Sequence, residues 1–192
     1  MSAPTAPVTP VAPTDRAWVA FVEGADATGT MAALAGVFST RGVSFGSLST
    51  GVAADGVGLI VITFTASERR QRLLMRTVRR LAAVRSAEVR ATDDPAVRAA
   101  AVVQLPATAG AFVPPADAAV RWSGDPAAGQ PVLVEGPLTE VERVVATARA
   151  QGAVSAATVV LPLPEDLAGA DAAPHTGPTV PPPVPQQEFT HP

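Results

Sequence analysis

Residues that could perform acid–base, nucleophilic or metal chemistry are scarce in this chain. It has no cysteine, and its two histidines, His175 and His191, both lie in a proline-rich stretch near the C-terminal end. The carboxylates of Asp93–Asp94 adjoin a proline, and Glu140 with Glu142 is expected on the solvent face of a helix. No nucleophile–base set and no metal-ligand spacing can be assembled. The sequence therefore predicts a chain that is not an enzyme, with no catalytic residue, metal or cofactor.

Groups that could bind a small molecule are concentrated around Gly29. Free backbone N–H groups at the start of a helix attract a carboxylate, and a glycine lets a ligand approach the backbone. Asp26 could pair with an ammonium group, and serines on the following strand could complete a polar pocket across a dimer interface. The candidate effector-binding residues are Asp26, Ala27, Thr28, Gly29, Thr30, Ser44 and Ser47. Two plainer interpretations stay open: Asp26 and Gly29 as a helix cap and a turn, and the serines as solvent-facing strand residues.

The elements that must position these residues follow from the apolar pattern. Strands are predicted over 17–23, 43–50, 59–65 and 84–91, and the third, LIVITFT, is the most apolar and is expected inside the sheet. Helical spacing of apolar residues predicts one helix through Met31 and Phe38, ended by Gly42, and a second one capped by Ser67. This order predicts an α+β, ferredoxin-like βαββαβ unit, with an antiparallel sheet covered by two helices on one face.

A shorter set of elements follows Pro95. Strands are predicted over 97–105, 119–123, 131–135 and 153–161, and a helix over 138–151 ended by Gly152. The segment from 106 to 116 carries three prolines and is interpreted as a linker. The pattern is that of the first unit without its first helix.

Composition limits the remaining possibilities. Prolines crowd both ends of the chain, where no apolar periodicity is present, so both tails are expected to be disordered. The segment 1–14 lacks the positive start and apolar run of a secretory signal, and no stretch is long enough to span a membrane. The chain is expected to be soluble and cytoplasmic.

Basic residues are concentrated on the second predicted helix. All fourteen basic residues of the chain are arginines, and six of them lie in 69–80. They are interpreted as a solvated face, or else as a contact for an acidic partner protein. A nucleic-acid contact is disfavoured, because the net charge is −3 and no aromatic residues alternate with the arginines.

Several motifs resemble those of one known family. Asp26-x-x-Gly29 precedes the first helix, Gly36-Val37-Phe38-Ser39-Thr40-Arg41-Gly42 ends it, and Ser47-Leu48 follows in the next strand. Together they resemble the ACT domain of the small subunit of acetolactate (acetohydroxyacid) synthase. The stretch 93–98, DDPAVR, and the later Leu133-Val134-Glu135-Gly136 resemble parts of the same family. The sequence departs from the family at Thr28, Ser44 and Gly46.

The resemblance implies an architecture and a function. Residues 16–94 would form an ACT domain, 95–116 a linker that includes one strand, and 117–164 a reduced C-terminal α+β domain, with tails over 1–15 and 165–192. The chain would be a regulatory subunit that dimerises through its ACT domains and binds a thiamin-diphosphate-dependent catalytic subunit. It would pass on feedback from valine or another branched-chain amino acid. The alternative is a stand-alone ACT-type amino-acid sensor or interaction module without that enzyme partner.

Overall fold

The computed structural model describes residues 14–24, 27–52 and 57–163. Its helices and strands are β1 Arg16–Gly24, α1 Ala27–Thr40, β2 Phe45–Val52, β3 Gly58–Ala66, α2 Glu68–Val78, β4 Val84–Ala91, β5 Arg98–Gln104, β6 Arg121–Ser123, β7 Val132–Pro137, α3 Leu138–Ala150 and β8 Ser155–Val160. The predicted tails lie largely outside these residues, and the predicted domain limits remain proposals. Within the described ranges, no helix is long and apolar enough to cross a membrane.

The first sheet is antiparallel and has the order β2-β3-β1-β4. With α1 and α2 it forms the predicted βαββαβ unit, and β3 is an internal strand as expected. Gly42 adopts a φ of 62°, which allows the chain to leave α1 and turn into β2. Ser67 caps α2 by accepting a hydrogen bond from the backbone N–H of Arg70. The local sequence signals and the fold therefore agree in this unit.

One face of the first sheet packs against α1 and α2. Ile60, Ile62 and Phe64 of β3 are buried there, and the ring of Phe64 meets the ring of Phe38 from α1 edge to face, with 5.3 Å between centroids. Such pairs add to the free energy of apolar burial. This core accounts for the helical spacing of apolar residues in α1 and α2.

The second sheet repeats the strand order of the first. Its order is β6-β7-β5-β8, so β5, β6, β7, α3 and β8 correspond to β1, β2, β3, α2 and β4. Where the first unit has α1, the segment between β5 and β6 contains only a short 3₁₀ turn, Ala107–Ala109. The prediction of a ferredoxin-like unit that lacks its first helix is therefore confirmed.

The other face of the first sheet is buried against the second unit. Val19, Phe21, Leu59 and Val61 belong to the same apolar core as the inner face of the second sheet and α3. Each of these four side chains is at most 5% exposed. Strands β1 and β3 are therefore covered on both faces, which explains why both are apolar almost throughout instead of alternating. The two units share one core, and α3 is part of it.

Candidate functional site

The start of α1 is the first predicted binding region. The helix begins at Ala27, close after the end of β1. Gly29 is exposed in its first turn, so its backbone is accessible to a ligand. Asp26 lies outside the described residues, and the side chains of Ala27 and Thr28 do as well. Of the residues predicted before Thr30, Gly29 is therefore the one that the structure describes as exposed.

Thr30 has a packing role at this helix start. It is fully buried, and its hydroxyl donates a 3.4 Å hydrogen bond to the carbonyl oxygen of Ala83, just before β4. Gly24 makes room for it, because a Cβ at Gly24 would lie only 2.6 Å from Thr30 Oγ1. The Thr30 side chain therefore ties α1 to the sheet, and only its backbone could take part in ligand binding.

Ser44 and Ser47 lie at the other end of the first unit. Both follow the C-terminal end of α1, and α1 has 14 residues, a length of about 20 Å. Ser47 exchanges a 2.8 Å hydrogen bond with the hydroxyl of Thr63 on β3. Within one chain, the structure does not bring these serines to the start of α1.

Ser47 instead lines a cleft between the two units. The cleft has a volume of about 430 Å³, within the range of small-molecule pockets. One wall is formed by Gly46, Ser47 and Thr63 of the first sheet. The opposite wall is formed by α3 and β8, with Leu138, Glu142, Val145, Arg149, Thr158 and Val160. The cleft thus combines an apolar base with hydroxyl, carboxylate and guanidinium groups.

A bulge in β2 shapes the first wall of the cleft. The pairing of β2 with β3 shifts its register between Phe45 and Ser47, so Gly46 is the extra residue. A Cβ at Gly46 would lie 2.8 Å from Thr63 Oγ1. Because Gly46 has no side chain, the Thr63 hydroxyl can lie on the surface of the cleft beside Ser47.

The charged groups of the cleft come from one side of α3. Leu138, Glu142, Val145 and Arg149 follow one another at spacings of four, three and four residues, which places them along one stripe of the helix. Burial raises the pKa of the Glu142 carboxyl, although the residue as a whole retains exposed surface. In the part of the chain that the structure describes, neither Glu142 nor Arg149 forms an ion pair.

The neighbouring carboxylate on α3 has a structural role. Glu140 pairs with Arg143 and accepts a hydrogen bond from the backbone N–H of Ala119. Arg143 also pairs with Asp117 at 2.8 Å, and this contact lowers the pKa of Asp117. The predicted solvent face therefore holds for Glu142, which is exposed and borders the cleft, whereas Glu140 is half-buried and holds the segment before β6.

The arginines of α2 form an exposed basic face, as predicted. Arg69, Arg70, Arg76 and Arg80 are exposed, and Arg41 at the end of α1 extends the face by donating to the hydroxyl of Thr77 at 3.1 Å. Two other arginines of this segment are engaged within the unit: one pairs with Glu68 and one donates to the carbonyl oxygen of Ala87. The face remains available for an acidic partner.

A second concavity lies on the outer face of the second sheet. It has a volume of about 420 Å³, and Val102, Trp122 and Leu133 line it with Ala100. Its carboxylate, Glu135, already accepts a hydrogen bond from Arg98 at 3.1 Å. This surface is thus mainly apolar, and its acidic group is already paired.

Sequence reasoning missed the cleft because its residues come from four separate elements. The motif comparison drew attention to Ser47, but Thr63, Glu142, Arg149 and Thr158 carry no local signature. The one usable signal was the spacing of Glu142 and Arg149, which places opposite charges two turns apart on a helix whose intervening residue, Val145, is apolar.

Comparison with known proteins supports the fold. No family model matches the sequence, and no curated protein is similar enough to count as a relative. Among solved structures, the small subunit of acetolactate synthase from Thermotoga maritima matches with a TM-score of 0.56 and 15% identity, over 76% of this chain and 94% of that one. This chain shares its fold with that subunit. At this identity the match is evidence for the two-unit architecture only.

Weaker matches include two regulatory proteins of another enzyme. The regulatory subunit of aspartate kinase from Thermus thermophilus matches with a TM-score of 0.38 and 16% identity, over 71% of this chain and 90% of that one. The same subunit from Thermus flavus matches with a TM-score of 0.36 and 15% identity, over 71% and 92%. Both scores are too low to support a statement about this chain.

Proposed function

We propose that this chain is a non-catalytic regulatory subunit of an acetolactate synthase, and that it acts in the cytoplasm. The observation that carries the proposal is the succession of two ferredoxin-like units, which the Thermotoga maritima small subunit matches over 94% of its length. The motifs around Gly29 and from Gly36 to Gly42 support it independently, because they are sequence features and the match is one of shape. The chemistry would belong to the catalytic partner.

Regulation by this chain would depend on its binding surfaces and not on catalytic groups of its own. A regulator needs differential affinity for two states of its partner, and a coupling free energy of about 1–3 kcal/mol is sufficient. Binding surfaces alone can supply that coupling.

The dimer that we propose forms along β2. This strand is an edge of the first sheet, and seven of its eight residues are exposed. An edge strand with free backbone N–H and C=O groups can pair with the same strand of a second copy. A two-fold axis makes that pairing antiparallel, so the start of β2 in one copy lies beside the end of β2 in the other.

This pairing would unite the predicted effector-binding residues. Val52 at the end of β2 and Gly24 at the end of β1 both pair with Gly58, so the end of β2 and the start of α1 lie at the same end of the sheet. The second copy would then bring Ser44, at the start of its own β2, toward Asp26, Ala27, Thr28, Gly29 and Thr30. The second copy would also bring Ser47, whose hydroxyl is hydrogen-bonded to the hydroxyl of Thr63 in its own chain. A branched-chain amino acid, valine first, would bind there with its carboxylate at the helix start.

The basic face of α2 is the contact that we propose for the catalytic subunit. Exposed guanidinium groups on one helix face favour an acidic surface and accelerate association with it. Exchanging Arg69 and Arg70 for glutamate should weaken the complex and reduce its salt dependence. Exchanging Arg72, which already pairs with Glu68, serves as the matched control and should have a smaller effect.

Co-purification with an acetolactate synthase catalytic subunit, followed by a rate measurement, tests the proposed function. We expect a stable complex and a changed rate of acetolactate formation. Gly29→Asp should abolish the response to valine without unfolding the chain, because a carboxylate repels the effector while favouring the helix start. Gly36→Asp on the same helix, where a Cβ would meet no atom within 4 Å, is the control.

Absence of both a complex and a rate effect would contradict the proposal. Valine binding by the free chain without any effect on the enzyme would favour the alternative, a stand-alone amino-acid sensor of the same fold.

A further inference from the structure

The cleft between the two units has the chemistry of an amino-acid site that is separate from the start of α1. We infer that it binds a small zwitterionic α-amino acid with a short apolar side chain, held between Glu142 and Arg149 of α3. The inference rests on the proposed function for the choice of ligand class. The cleft itself lies within a single chain and does not need a second copy.

The separation of the two charges indicates a ligand that carries both. Glu142 and Arg149 are seven residues apart on α3, so their Cα atoms are about 10 Å apart along the helix axis. At that distance the side chains can reach toward each other with space for a small molecule between them. An ammonium group would face Glu142, and a carboxylate would face Arg149, whose planar guanidinium can donate two parallel hydrogen bonds.

The environment of Glu142 favours a bound cation. Glu142 is exposed on the rim of the cleft, and partial burial of its carboxyl raises the pKa. A ligand ammonium group beside it would stabilise the ionised form by direct charge pairing. No arginine within the described residues supplies this partner to Glu142.

The remaining groups of the cleft match the rest of such a ligand. Ser47 and Thr63 share one hydrogen bond of 2.8 Å, which leaves one hydroxyl hydrogen of the pair for an acceptor on the ligand. The base of the cleft is formed by the apolar side chains of Leu138, Val145 and Val160. Each of them is at most 6% exposed, so they form a well-packed floor. Short aliphatic side chains fit such a base, whereas a second charged group would be left without a partner there.

A ligand in this cleft would contact both units at once. It would touch Ser47 or Thr63 of the first sheet and Glu142 or Arg149 of α3, and would thus strengthen the docking of one unit on the other. A ligand that binds the docked arrangement preferentially stabilises it by mass action. Ligand binding in the cleft would therefore change the affinity of any surface whose shape depends on how the two units are docked.

The experiment is titration calorimetry on the full chain carrying Gly29→Asp, which removes valine binding at the start of α1. Three probes are used: L-valine, 3-methylbutanoate, which lacks the ammonium group, and 2-methylpropylamine, which lacks the carboxylate. We expect valine to bind at least about tenfold more tightly than either analogue, the scale of one charge-assisted hydrogen bond. Glu142→Gln should weaken valine about tenfold and leave 3-methylbutanoate unchanged. Arg149→Gln should weaken valine and leave 2-methylpropylamine unchanged.

Controls separate this inference from the proposed function. Glu68→Gln and Arg76→Gln make the same charge changes on α2, away from the cleft, and should not alter valine binding. If Gly29→Asp alone abolishes all valine binding, and Glu142→Gln and Arg149→Gln in the otherwise wild-type chain bind valine normally, the ligand occupies the start of α1. The inference is then overturned, but the regulatory role stands. If wild-type chain binds no valine, the inference also fails, and the rate assay with the catalytic subunit still decides the proposed function.

Discussion

Replacing Phe21 by alanine should destabilise both units of the chain together. Phe21 lies on the face of β1 that points away from α1 and α2, and it is 3% exposed within the core shared with the second unit. Because that core is shared, the cavity left by the missing ring should weaken the first sheet and the docking of the second unit at the same time.

The expected loss can be worked from the burial of the ring. Truncating a buried phenylalanine to alanine costs about 3–5 kcal/mol, which combines lost apolar transfer and the cavity left behind. With a urea dependence of about 2 kcal/mol per molar for a body of this size, the unfolding midpoint should fall by about 1.5–2.5 M. Val52→Ala, at a side chain that is 79% exposed, should change the free energy of unfolding by at most about 0.5 kcal/mol.

The two tryptophans supply one reporter for each unit. Trp18 lies in β1 and donates a hydrogen bond to the carbonyl oxygen of Ala66, whereas Trp122 lies in β6 of the second sheet. Urea unfolding followed by fluorescence in Trp18→Phe and in Trp122→Phe backgrounds reports the second and the first unit separately. Phe21→Ala should shift both transitions by the same amount. A shift of the Trp18 signal alone would refute the shared core.

Three further predictions concern stability. Gly24→Ala should lower it by about 1–3 kcal/mol, because the new Cβ would lie 2.7 Å from the carbonyl oxygen of Ala83; thermal unfolding measures this. Ser67→Ala should cost about 1 kcal/mol through the lost cap of α2, measured by urea unfolding. Glu142 has a raised pKa, so the folded chain loses stability as the pH rises from the ordinary value of 4.5 through that pKa. Glu142→Gln should remove this loss and raise the melting temperature at neutral pH, measured by calorimetry without ligand.

Each of these predictions has a control or a contrary result. Gly51→Ala places a Cβ where no atom lies within 4 Å, and equal destabilisation at both glycines would show that backbone freedom, not crowding, causes the loss. An unchanged midpoint in Ser67→Ala would mean that water replaces the cap at no cost. A Glu142→Gln variant with the wild-type dependence of stability on pH would show that this carboxyl is not desolvated.

Local patterns were sufficient to predict the elements and their order. The apolar run of β3, the positive φ of Gly42 and the cap at Ser67 are properties of short segments, and each of them has the predicted role. The missing helix of the second unit was also predictable, because prolines 106, 114 and 115 interrupt the segment where it would lie.

Contacts between the two units could not be predicted from such local patterns. The apolar character of both faces of β1 and β3 indicates two covering layers, but it does not identify the second layer as the inner face of another sheet with α3. Thr30 was assigned to a ligand site because its backbone N–H lies at the helix start, and the pattern gave no sign that its hydroxyl bonds to Ala83, 53 residues later in the chain. Contacts between residues so far apart in the sequence depend on how the chain packs, and the spacing of residues within a motif does not specify that packing.

The function that we propose is that the chain transmits the presence of an apolar amino acid to a catalytic subunit. The most direct test is the rate of acetolactate formation by a purified catalytic subunit, measured with and without the chain over a range of valine concentrations. We predict that valine changes the rate only when the chain is present, and that the effect is lost with Gly29→Asp. A rate that responds to valine equally without the chain, or never responds with it, would contradict the claim.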